Sequence, residues 1–91
     1  MALKTVVSVL GKDRPGIVAT VSTTLFNAGA NIDDIKQSIM DDIFAMTMLV
    51  TLDEKVCTFN QVQEKLEADG EELGVQVRIQ RQDIFDLMYK I

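Results

Sequence analysis

Apolar residues fill both alternating sets between positions 3 and 10, Val7 and Val9 on one side and Val6 and Leu10 on the other. This pattern, rich in β-branched side chains, predicts a strand covered on both faces. Gly11-Lys12-Asp13-Arg14-Pro15-Gly16 then breaks it, with Pro15 suited to a first helical turn and Asp13 or the Arg14 backbone placed as a cap. Val18, Val21, Leu25 and Ala28 recur at helical spacing opposite Thr20, Thr23, Thr24 and Asn27, and Gly29 stands where a left-handed terminator belongs. A first helix is expected.

A second strand is expected over 31–40, with Ile35 and Ile39 on one side and Ile32 and Met40 on the other. Asp41-Asp42 reads as a tight turn, so 43–52 should return antiparallel with Phe44, Met46, Met48, Val50 and Leu52 on one core face. Thr58 and Gln61 match a capping box with Cys57 and Val62 as its hydrophobic staple, and Phe59, Val62, Leu66 and Leu73 continue as a helical stripe. Gly70 and Gly74 both offer an end to this second helix. Val75, Val77 and Ile79 alternate with Gln76, Arg78 and Gln80, the pattern of a half-buried strand. Beyond it, Ile84, Leu87, Met88 and Ile91 form an apolar stripe for a short helix after an Asp83 cap.

The order βαββαβ predicts an α+β, ferredoxin-like sandwich: a four-stranded antiparallel sheet, two helices on one face and a short C-terminal helix. Residues 1–91 read as a single domain, with a core over 3–82 and an apolar tail over 83–91. So small a domain buries a modest fraction of its surface, and the leftover apolar tail predicts a dimer or larger assembly.

A composition of 47% hydrophobic and 25% charged residues fits a folded chain. Nine basic against fourteen acidic side chains give a net charge of −5, with no cationic run to hold a phosphate backbone, so no direct nucleic-acid partner is expected. No apolar stretch approaches the roughly 20 residues of a membrane span, and no signal segment is recognisable at the N-terminus. One cysteine and no histidine exclude an internal disulfide, a thiolate–imidazole pair and a zinc constellation. A reducing cytoplasm fits, no cofactor or metal is implied, and an enzyme ranks last for want of a nucleophile with a base.

A ferredoxin-like fold hosts many functions, so the site must decide. The strands lack the aromatic platform that stacks RNA bases, since Phe44 is assigned to the core, and the first loop lacks the paired thiolates of a soft-metal carrier. The segment 9–33, VLGKDRPGIVATVSTTLFNAGANID, carries a Gly-x-Asp-Arg-Pro-Gly-Ile-Val loop, a helix and a closing Ala-Asn-Ile. It closely resembles the ACT domain family, and the closing DIFDLMYKI is similar to the tail of small stand-alone ACT proteins. The resemblance implies a regulatory domain that binds an amino acid or related small ligand, often at a dimer interface. It further implies that the amides of Gly16, Ile17 and Val18 take the ligand carboxylate, while Asp13 and Asn31 offer oxygens to an amino group. Asp13 stands where many members carry Asn.

The physical reading of this loop agrees, because unpaired amides and the positive end of a helix dipole attract a carboxylate. The same residues also read as fold chemistry alone, with Pro15 and Gly16 starting a helix, Asp13 capping it and Asn31 opening a strand. Two functions follow: a sensor with an amino-acid-like ligand at a subunit interface, or a ligand-free module that dimerises or docks on a regulated protein through helix 1 and the tail. Elsewhere, Cys57 reads as a staple, Asp33, Asp34, Asp41 and Asp42 as solvated carboxylates unless the hairpin gathers them around a cation, Glu64, Glu67, Glu71 and Glu72 as a soluble face, and Met40, Met46, Met48 and Met88 as core filler.

Overall fold

The computed structural model describes residues 2–84. Strand β1 (Ala2–Lys12) leads to helix α1 (Ile17–Asn27), strands β2 (Asn31–Met40) and β3 (Ile43–Asp53), helix α2 (Phe59–Leu73) and strand β4 (Val75–Arg81). The strands form one antiparallel sheet in the order β2-β3-β1-β4, as the ferredoxin-like reading requires. Both helices bury their apolar stripes on the same sheet face, where Val7, Val9, Phe44, Met46, Met48, Val50 and Leu52 meet Val21, Leu25, Val62 and Leu66.

Local chemistry explains most boundaries. The Thr58 side chain accepts from the Gln61 amide while the Gln61 side chain accepts from the Thr58 amide, completing the capping box. Helix α1 ends in a Schellman turn: the Gly29 amide donates to Phe26 O, the Ala30 amide donates to Leu25 O, and Gly29 adopts φ 75°. Helix α2 runs through Gly70 and stops at Gly74. A Cβ on Gly70 would lie 2.8 Å from the Val75 carbonyl oxygen, so glycine here allows the helix to pack against the start of β4.

Several expectations change. Helix α1 begins two residues after Pro15, with Gly16 as its N-cap in a left-handed conformation and no side-chain cap. Asp13 is no cap, since no side chain bonds the amides at the start of α1, and its backbone amide instead donates to Asp42 O at 2.7 Å, extending the β1–β3 ladder past Lys12. The core stripe of α1 is Ile17, Val21, Leu25 and Ala28, with Val18 only partly buried. A bulge between Ile32 and Asp34 shifts the β2 register, so Ile32 pairs with Val50 and joins Ile35 and Ile39 on the helix-facing side.

The helices cover one sheet face, and the two-sided reading of β1 therefore holds for Val6, which is 2% exposed, and fails for Leu10, which is 52% exposed. Met46 and Met48 fill the core, whereas Met40 is exposed on the uncovered face. Residues 82–84 open a helical turn one residue before Asp83, whose carboxylate accepts from the Ile84 amide and pairs with Arg81. Leu87, Met88 and Ile91 lie outside the described residues. Among the described residues, no helix is long and apolar enough to cross a membrane.

Candidate functional site

The loop after β1 is set by contacts distant in sequence. Its Asp13 amide is fixed to the β2–β3 turn, and the Arg14 guanidinium donates to Leu73 O at 3.0 Å. That carbonyl belongs to the last turn of α2, which has no basic residue of its own, so Arg14 supplies the cation favoured at a helix C-terminus. Gly16 has φ 89° and ψ 0°, and a Cβ there would meet nothing within 4 Å. The backbone can therefore be approached closely at this point. Thr20 N begins the intrahelical ladder by donating to Gly16 O, which leaves the amides of Ile17, Val18 and Ala19 at the open helix end. Ile17 contributes only its amide, because its side chain is buried in the core.

Asn31 lies elsewhere. It pairs with Thr51, which pairs with Lys4, while the loop follows Lys12 at the other end of β1. Eight strand residues separate the two rows, about 27 Å at roughly 3.4 Å per residue. One protomer therefore does not bring Asp13 and Gly16 together with Asn31. At the Asn31 end a shallow cavity of about 340 Å³ is lined by Ala2, Gly29, Asn31, Thr51, Leu52, Asp53 and Lys55.

Asp33, the bulged residue, organises this end. Its carboxylate accepts from the Thr51 hydroxyl at 2.5 Å and from the Asn31 side-chain amide at 2.6 Å. The Thr51 bond, then the Asn31 bond, with Lys4 nearby, hold its pKa below the ordinary 3.8. The Asn31 nitrogen is thus committed, and its side-chain oxygen is the atom left to accept from a ligand. A folded-state pKa below the unfolded value contributes stability above about pH 4 that is lost as pH falls through the folded value. Thr51→Val should raise the Asp33 pKa toward 3.8, and its stability deficit against the parent should shrink in acid. Carboxyl titration by NMR with denaturation at two pH values checks both.

The remaining candidates separate. Asp33 and Asp34 stand at the start of β2 and Asp41 and Asp42 beyond its end, so the hairpin does not gather them, and the described residues hold no cluster able to bind a metal ion. Cys57 is a buried free thiol in the core cluster that also holds Val62. Glu64, Glu67, Glu71 and Glu72 are all exposed. Sequence reasoning missed Arg14 and the organising role of Asp33. Arg14 meets its partner 59 residues away, and a bulge has no periodic signal.

The βαββαβ sandwich, with a left-handed glycine between its first strand and first helix, has the architecture of an ACT domain. The ACT domain model matches residues 4–80, and the chain belongs to that family. It is 51% identical over 88 residues to a UPF0237 protein from Methanocaldococcus jannaschii, spanning 97% of this chain and 98% of the other. An ACT domain protein from Streptococcus pneumoniae superposes with a TM-score of 0.79 at 39% identity, covering 98% of this chain and all (100%) of that one. A structure assigned as a glycine cleavage system transcriptional repressor aligns at TM-score 0.80 and 25% identity, covering 89% of this chain and 46% of the other.

Proposed function

We propose that this chain is a ligand-responsive regulatory domain, without catalytic activity, that binds an amino acid or related carboxylate between two copies of itself. The amides of Gly16, Ile17 and Val18 take the carboxylate, and Asp13 of that protomer and Asn31 of its partner accept from the amino group. The observation that carries this reading is the position of the loop and Asn31 at opposite ends of the exposed edge strand β2. Antiparallel pairing of two β2 edges about a two-fold axis carries the loop end of each protomer toward the Asn31 end of the other.

The edge itself is self-complementary. A two-fold centred on Ile35 sets Asp34 opposite Lys36 twice, since residues opposed across antiparallel strands share a face. It also covers Ile35 and Ile39, which are 38% and 56% exposed on the helix-facing side of a single protomer. Membership in a regulatory family, and the likeness to a protein assigned as a repressor, support the sensor role. The buried free thiol of Cys57 suits a reducing cytoplasm.

A thermal-shift screen of amino acids and small carboxylates, with mass measured in solution, tests the proposal. The expected result is a dimer with a saturable rise in melting temperature for at least one ligand. A dimer that no carboxylate stabilises favours the ligand-free interaction module, and a monomer at high micromolar concentration contradicts the site shared between two copies.

A further inference from the structure

Among the described residues, no local device orients the start of α1: its N-cap makes no side-chain bond and its first turn carries no acidic residue. Two hydrogen bonds to distant parts of the chain hold the loop instead. The Asp13 amide is tied to Asp42 O, and the Arg14 guanidinium to Leu73 O in the last turn of α2. That turn passes through the left-handed Gly74 into β4, whose first residue, Val75, lies opposite Gly11 in the strand ladder. A Cβ on Gly11 would come within 2.7 Å of the Val75 side chain, and one on Gly70 within 2.8 Å of the Val75 carbonyl oxygen. Such close approach leaves the corner 73–75 little room to shift against the end of β1 or against α2. Arg14 fastens the loop to this firm support.

Given the carboxylate site proposed above, on which this step rests, we infer that Arg14 is a positioning residue through which the carboxylate loop and the C-terminal turn of α2 regulate one another. Arg14 stands two residues before Gly16, so releasing its guanidinium loosens the backbone that carries the Gly16, Ile17 and Val18 amides. Affinity should fall. The effect is reciprocal by linkage: where the bond to Leu73 O favours the loop geometry that takes a carboxylate, a bound carboxylate favours that bond by the same factor. Occupancy of the loop thereby steadies the end of α2, beside the strand at the sheet edge opposite β2.

The test uses the whole chain and its Arg14→Gln and Arg14→Lys variants, with glycine and the common L-amino acids titrated singly by calorimetry. Arg14 is exposed, so both variants should keep the parent circular dichroism. For a probe that binds the parent, Arg14→Gln should weaken affinity by about tenfold or more, the scale of one charge-assisted hydrogen bond, and Arg14→Lys should recover most of it by keeping the charge and a donor. Hydrogen exchange reads the reciprocal effect. The Gly74 amide, which donates to Gly70 O, should exchange more slowly when the probe saturates the parent, and at an unchanged rate when it saturates the Gln variant. Equal affinity in the parent and Arg14→Gln would overturn the inference and leave the carboxylate site standing. So would a weakened Gln variant in which Gly74 still responds as in the parent, which would place Arg14 on the ligand itself. Melting temperature falling in step with affinity in both variants would make Arg14 a structural residue only, and would overturn the inference as well. If no probe binds the parent, the carboxylate site fails and the coupling fails with it.

Discussion

Gly16→Asp is expected to abolish carboxylate binding while the fold persists. The left-handed N-cap disfavours any side chain, at about 1 to 2 kcal/mol, and Asp is among the residues that tolerate it best. Space is no obstacle, because a Cβ at Gly16 meets nothing within 4 Å. From the N-cap, the new carboxylate can accept from the Val18 or Ala19 amide, which occupies the donors and places negative charge where the ligand's belongs. Gly16→Ala is the control, since it carries the same backbone strain without the charge and should retain most of the affinity. Calorimetric titration of the best ligand from the screen separates the two variants, with circular dichroism confirming their folds. Equal loss in both would assign the effect to backbone geometry, and undiminished binding by the Asp variant would place the ligand elsewhere.

Ile39→Asp should turn a dimer into a monomer and remove ligand binding with it. The side chain is exposed in the single protomer, so its replacement should leave the melting temperature of the monomer nearly unchanged. In the two-fold arrangement each copy loses an apolar contact and gains a carboxylate at a closed edge. The combined penalty is about 2 to 3 kcal/mol per dimer, roughly a hundredfold in the dissociation constant. Sedimentation across a concentration series measures it. A variant that remains dimeric would move the interface away from β2.

Periodicity made the element order legible, because strand and helix stripes are local and the capping box at Thr58 and the Gly29 turn announce themselves in a few residues. The start of α1 was less legible. Pro15 is compatible with a first helical turn, yet the left-handed Gly16 delays the helix, and the pull on Asp13 comes from Asp42 across the sheet. The Asp33 bulge reversed the facing of Ile32 through one unpaired residue, which alternation alone does not reveal. Of the candidate site, sequence named the loop and Asn31 but not their separation, which depends on where β1 and β2 begin and end in the folded sheet. Arg14 was hidden for the same reason, since the α2 carbonyl it reaches becomes its neighbour only after both crossovers are made.

The central claim, that each site draws its loop from one protomer and its Asn31 from the other, has a direct measurement. Gly16→Asp and Asn31→Ala protomers, each unable to bind alone, are mixed, allowed to exchange and titrated with the same ligand. A mixed dimer then holds one site with both lesions and one with neither. Random exchange at equal concentrations should restore about a quarter of the parent capacity, at parent affinity, because half the dimers are mixed and each has one intact site. If mass measurement shows that mixed dimers have formed and no binding returns, the loop and Asn31 do not meet across the interface, and the shared-site account is wrong.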